Sequence, residues 1–110
     1  MSYSTGDILF VSFPYDDKNV EKGRPVLFWD EDGDLITVSK ITKKARGLPW
    51  ELPLPSIDEN GLDLCSCVRL DQTVQIHKDK IRKPIPIGNV NQLQLKILHL
   101  KLLEYLDIIK

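Results

Sequence analysis

The chain has 110 residues, of which 42% are hydrophobic and 28% charged, and its formal net charge is −1. That length suits one domain over residues 1–110 with a real core, and the balance is that of a soluble globular protein. The apolar runs are far too short to cross a bilayer, which excludes a membrane span, and the near-zero charge excludes a general polyanion binder. The opening Met1–Asp7 has neither the basic stretch nor the continuous apolar stretch of a secretory signal, so a cytoplasmic location is expected.

In chain order, Ile8 to Phe13 is a short apolar run between Gly6-Asp7 and Pro14, which predicts a strand. Tyr15 to Gly23 reads as a polar loop. Pro25–Trp29 and Leu35–Thr42 read as two strands joined through Asp30-Glu31-Asp32-Gly33-Asp34, where the Asp-Gly step is a hairpin signal. Alternation along the second of these places Ile36, Val38, Lys40 and Thr42 on one face, with Thr42 at the exit. Between Ala45 and Asn60, Pro49, Pro53 and Pro55 argue against a helix and for an ordered or ligand-gated crossing loop. Leu64 to Leu70 alternates as a strand, with short extended pieces near 73–76 and 80–82.

Val90 to Ile109 has no Gly or Pro and is rich in helix formers, so it predicts a helix. Leu93, Ile97 and Leu100 form one apolar stripe on it, and Leu95, Leu98, Leu102, Leu106 and Ile109 form another. Together they are broader than one core-facing side requires. Either the β domain wraps two sides of the helix or part of the helix meets a partner.

Cys65 and Cys67 make no disulfide framework and are expected to be reduced. With only His77 and His99 to join them, and without paired ligand spacing, no metal site is expected. Charge is distributed unevenly. Lys40, Lys43, Lys44 and Arg46 form one basic cluster, Lys78, Lys80, Arg82 and Lys83 another, and residues 30–34 an acidic tip. A local anion site is therefore compatible with the overall charge.

Two residues from separate segments point to a phosphodiester. Arg24, in Lys22-Gly23-Arg24-Pro25, offers a planar fork that can hold two phosphate oxygens, and Thr42 offers a strand-end hydroxyl. Alone, each has a plainer reading: Arg24 pairing with Asp16, Asp17 or Glu21, and Thr42 as an ordinary strand residue. Lys43, Lys44 and Arg46 either line a path for a nucleic-acid backbone or form a solvated loop. Phe13 reads as core. Tyr15 and Trp50 either stack on unpaired bases or pack internally.

Taken in order, Gly6-Asp7-Ile8, Val11-x-Phe13-Pro14, Arg24-Pro25-Val26-Leu27 and Ile41-Thr42 resemble the MazF/PemK toxins of bacterial toxin-antitoxin systems. Leu48-Pro49, Ser66-x-Val68-x-Leu70-Asp71-Gln72, the spacing of Ile76 and Ile81, and Gly88 before the final helix carry the resemblance over nearly the whole chain. It implies a mainly β, SH3-like small barrel with a C-terminal helix, working as a homodimer. The implied activity is an endoribonuclease that cleaves single-stranded mRNA without metal or other cofactor, leaving a 2′,3′-cyclic phosphate and a 5′-hydroxyl. A cognate antitoxin protein is the implied inhibitor, and Arg24 and Thr42 the implied catalytic pair.

Attack by an internal 2′-hydroxyl needs alignment and stabilisation of negative charge, which suits this pair. Arg24 is expected to act as a clamp and fixed cation rather than a base, because a guanidinium holds its proton at neutral pH. Two other functions compete with this reading. A CcdB-like toxin would bind a protein such as DNA gyrase, but that family relies on a terminal Trp-Gly-Ile and this chain ends Asp107-Ile108-Ile109-Lys110. A non-catalytic SH3-like module would bind a peptide.

Overall fold

The computed structural model describes residues 3–15, 18–42, 47, 49–54, 66–83 and 85–108, with 13–15, 18–22 and 108 followed as backbone alone. Strands β1 (Asp7–Tyr15), β2 (Lys18–Asp32), β3 (Leu35–Thr42), β4 (Glu51–Leu54), β5 (Ser66–His77) and β6 (Gly88–Asn89) precede one helix, α1 (Gln92–Ile108). The strands form a curled antiparallel sheet in the order β4-β5-β3-β2-β1-β6. Mainly β with a C-terminal helix is thus both the expected and the observed class. No helix among the described residues is long and apolar enough to cross a membrane.

The β2–β3 hairpin turns tightly. Asp32 pairs with Leu35, and Gly33 takes the first central place with φ +62° while Asp34 has no positive φ. That is the pattern of a II′ turn, which matches the right-handed twist of its strands. Of the acidic tip, only Gly33 and Asp34 make the bend; Asp30, Glu31 and Asp32 belong to β2.

Three expectations are corrected. Tyr15–Gly23 is not a loop: β1 runs to Tyr15, β2 starts at Lys18, and pairs such as Phe13↔Lys22 and Pro14↔Glu21 extend the ladder. Backbone pairing is indifferent to side-chain polarity, so polar sequence does not end a strand. The proline-rich stretch holds β4, an edge strand, where Pro53 is tolerated. The extended piece near 73–76 is one strand with the residues before it, because β5 continues to His77 across a register shift, whereas the piece near 80–82 is the end of a 3₁₀ turn, Lys78–Lys80, followed by an isolated bridge from Ile81 to Val11.

The sheet buries both faces. On the α1 side Ile8, Leu27, Trp29, Ile41, Leu54, Val68 and Leu70 pack with Val90, Leu98 and Leu102. On the other side Leu9, Val11, Val26, Phe28, Ile36 and Val38 form a second cluster, joined by Tyr3, Ile76 and Ile81. On α1 the buried stripe contains Leu98 and Leu102, with Leu95 packed beside them, whereas Leu93, Ile97, Leu100, Leu103 and Leu106 are exposed.

Candidate nucleic-acid interface

The second face changes character along its length. Val11 pairs with Arg24, and Thr42 pairs with Cys67, which pairs with Pro53. Between these, Val26 pairs with Lys40, and both strands continue past that pair. Carrying the register on by two residues brings Arg24 level with Thr42, their side chains on the same face. The row next to it reads Leu9, Val26, Lys40, Arg69, Glu51 across the same five strands. Rows two residues apart lie roughly 6.5–7 Å from each other. The β2–β3 pairing begins directly after Pro25, whose nitrogen has no hydrogen to donate, so Arg24 and Thr42 stand at the mouth of the ladder.

The polar end therefore gathers Arg24, Lys40 and Arg69 as cations and Glu51 and Asp71 as acids. Arg69 is held by Asp71 through a two-pronged contact, Nε donating to Oδ1 at 2.9 Å and Nη2 to Oδ2 at 2.7 Å. That hydrogen bond lowers the Asp71 pKa below the usual carboxylate value, and Lys40 adds a smaller electrostatic contribution in the same direction. Asp71 thus stays ionised at neutral pH and is a weak proton acceptor. Burial pulls the Arg24 guanidinium below its ordinary pKa, and a partly desolvated cation attracts a phosphate more strongly than one in bulk water. Burial, and then the charge of Glu51, push the Cys67 thiol up, so it remains protonated at neutral pH. Among the described residues no cluster of three or more His, Cys, Asp or Glu side chains is placed to hold a metal ion.

Behind Arg24 the backbone is tightly covered. A β-carbon on Gly23 would come within 2.4 Å of the Phe10 ring and 2.9 Å of Arg82 Nη1. Arg82 also donates from Nε to Ser12 Oγ at 2.8 Å and from its backbone N–H to the Phe10 carbonyl at 2.9 Å. The Gly-Arg step in the sequence has a local reason: the residue before Arg24 must carry no side chain.

Of the residues singled out in the sequence, Arg24 and Thr42 fall on one face, two residues beyond the last β2–β3 pair, Val26↔Lys40. Trp50 lies on the other: it packs against the α1-side core, edge-on to Tyr105 with ring centres 5.1 Å apart, and beneath Lys101. Lys43, Lys44, Arg46 and the side chain of Tyr15 lie outside the described residues. His77 pairs with Leu35 at the opposite end of β3 from Thr42, and His99 is on α1 beside the Trp29 ring. Lys40 stands on the Thr42 face as the alternation predicted; the residues that sequence reasoning did not single out are Arg69 with Asp71. An Arg-x-Asp step after an alternating strand was the available signal, since residues two apart share a face.

A family model described as PemK-like, MazF-like toxin of type II toxin-antitoxin system matches residues 4–106. Among solved structures, the Mycobacterium tuberculosis toxin MazF-mt6 is 26% identical with a TM-score of 0.73, over 92% of this chain and 96% of that one. A MazE-MazF complex from Deinococcus radiodurans aligns with a TM-score of 0.76 at 19% identity, over 96% of each chain. An endoribonuclease in complex with its cognate antitoxin, from mycobacterial species, aligns at 0.74 and 15% identity, again over 96% of each chain. At those last two identities the likeness is one of fold. No curated protein matches the chain. Since the family match runs through every strand and nearly all of the helix, the chain belongs to the PemK-like, MazF-like toxins of type II toxin-antitoxin systems.

Proposed function

We propose that this chain is a metal-independent endoribonuclease that cleaves single-stranded mRNA in the cytoplasm. The observation that carries the reading is the level placement of Arg24 and Thr42 on one face, with Lys40 and Arg69 in the adjoining row. The scissile phosphate sits between Arg24 and Thr42. The 2′-hydroxyl gives its proton to water as its oxygen attacks phosphorus, the bond from phosphorus to the 5′-oxygen breaks, and the departing 5′-oxygen takes a proton from water, so the products are a 2′,3′-cyclic phosphate and a 5′-hydroxyl. Arg24 and the Thr42 hydroxyl stabilise the extra charge on the non-bridging oxygens. Lys40 and Arg69 hold a neighbouring phosphate.

Three of the described groups nearby are poor acceptors for the 2′-hydroxyl proton in their ordinary states. Arg24 remains protonated, Asp71 is tied to Arg69, and the Cys67 thiol is neutral. The pair therefore acts by alignment and charge stabilisation. A homodimer and a cognate antitoxin that competes for this face complete the reading; that relatives are found in complex with an antitoxin supports such a partner, not its place on this face.

The test is to incubate the purified protein with mixed single-stranded RNA in EDTA and map the product ends. Cyclic phosphate and 5′-hydroxyl ends are expected, lost in Arg24→Ala and Thr42→Ala with circular dichroism and dimer mass unchanged. RNA left intact under all conditions removes the nuclease reading. Full activity in either variant removes that residue from the mechanism.

A further inference from the structure

We propose that Ser39 and Thr73 are positioning residues: with Trp29 they form a partly buried hydrogen-bond relay that fixes the register of β5 and so decides which of its side chains face Arg24 and Thr42. The functional half of this rests on the ribonuclease reading above; the structural half does not.

The β3–β5 ladder is in two halves. From Leu35↔His77 to Ser39↔Thr73 it follows one register, and from Lys40↔Arg69 to Thr42↔Cys67 another. Between the adjacent residues Ser39 and Lys40, β5 inserts Leu70, Asp71 and Gln72. An odd insertion reverses which side chains point to which face. Above the bulge, Ile76 faces the second cluster with Val38 and Ile36; below it, Val68 and Leu70 face α1, so Arg69 and Cys67 face the polar end. Without the insertion, the upper register would set Leu70 opposite Thr42 and Gln72 opposite Lys40. A fully buried leucine would then leave the core, and Arg69 would turn toward α1.

The relay closes this bulge. Trp29 Nε1 donates to Ser39 Oγ at 2.7 Å, Ser39 Oγ and Thr73 Oγ1 lie 2.5 Å apart, and Thr73 Oγ1 donates to the Leu70 carbonyl at 2.8 Å. Each hydroxyl has one hydrogen, so the order is fixed: Trp29 donates to Ser39, Ser39 to Thr73, and Thr73 to Leu70. Thr73, the paired residue directly after the bulge, thus ties back to the bulge's first residue, Leu70, while Ser39, with no exposed surface, has both its roles satisfied. Trp29 itself lies at a register shift of β2, between Phe28 and Asp30. Two irregularities, one on each neighbour of β3, are joined through a single serine.

The experiment compares Thr73→Val, which keeps the shape and loses the hydroxyl, with Thr73→Ser, which keeps the hydroxyl. Register is read by NMR from backbone contacts between Lys40 and Arg69. Binding is read with a fully 2′-O-methylated oligonucleotide, which cannot be cleaved, across a salt series. Thr73→Val is expected to weaken the Lys40–Arg69 contacts, lower cleavage on the order of 100-fold, and reduce the slope of log affinity against log salt by about 0.7, one phosphate contact. Thr73→Ser should restore all three. If Thr73→Val does not fold, Trp29→Phe removes the first donor of the relay and should move the same readouts in the same direction. Intact Lys40–Arg69 contacts with unchanged cleavage and salt slope overturn the proposal. Should the wild-type protein leave RNA uncut, the nuclease reading falls, and the Lys40–Arg69 contacts alone decide the register claim.

Discussion

The two faces of the sheet solve different problems. The face toward α1 is apolar from Ile8 and Leu27 through Ile41 to Val68 and Leu70, and the helix covers it. On the other, Phe28, Val38 and Ile36 with Leu9, Val11 and Val26 form the apolar part, and beside it on β3 and β5 the face turns polar at Lys40, Thr42 and Arg69, with Arg24 on β2. A strand is a stiff way to carry this change, because side chains two residues apart share a face at fixed spacing. The buried half anchors the same strands that present the polar half, so the cations are held by the core and not by loops.

The sharpest way to break the comparison is to cut one face and measure what the other does. Arg24→Ala removes a charge-stabilising group and should lower cleavage by about 100- to 1,000-fold with the unfolding midpoint nearly unchanged, since the side chain is only partly buried. Arg24→Lys should not restore activity, because a point charge lacks the two-pronged fork. Leu98→Ala should do the reverse. Leu98 is fully buried against the α1-side cluster, so its truncation is expected to cost about 2–5 kcal/mol in urea unfolding. Cleavage per folded molecule should stay at the wild-type level. If Leu98→Ala lowered cleavage per folded molecule as much as Arg24→Ala, the division of labour between the faces would be wrong.

Lys40→Gln tests whether the polar half reaches beyond one phosphate. Its row adjoins that of Arg24 and Thr42, and its neighbours across the sheet are Val26 and Arg69. Loss of the charge should reduce the salt slope of binding to the non-cleavable oligonucleotide by about 0.7, with the cleaved sequence unaltered. An unchanged slope would place Lys40 outside the RNA path.

Much of this arrangement was legible in the sequence where period and punctuation agreed. Leu35–Thr42 alternates between a Gly-containing turn and a basic stretch, and its bounds match β3. The final apolar run without Gly or Pro is α1 within two residues at its start. Arg24 and Thr42 were visible as residue types near strand ends, and the resemblance across the chain named them as a pair. What escaped reading depends on pairing between distant segments. The long β1–β2 arm looks like loop because its residues are polar. The bulge at Leu70–Gln72 breaks the alternation that identifies a strand, so Leu64–Leu70 seemed to stop where β5 continues. The Arg69–Asp71 pair became a neighbour of Lys40 only through that bulge.

The smallest expected effect separates the Arg69–Asp71 contact from the site it serves. Asp71 has a folded pKa below the usual carboxylate value because Arg69 donates to it. A carboxylate shifted in this direction contributes stability that is fully present above the unfolded value of about 4 and is lost as pH falls through the folded value. Asp71→Asn should therefore lower the urea midpoint slightly at pH 7 and pH 5, and the gap from wild type should close below about pH 4. The gap stays small because the pair is partly solvated, with 13% and 25% of its side-chain surface exposed. A gap that persists unchanged to pH 2 would mean that Asp71 stabilises the bulge through its shape and hydrogen bonds rather than its charge. At neutral pH the same variant releases Arg69 without changing the register, so its salt slope should stay at the wild-type value while that of Thr73→Val falls. That contrast separates the charge that steadies Arg69 from the relay that turns it toward the polar face.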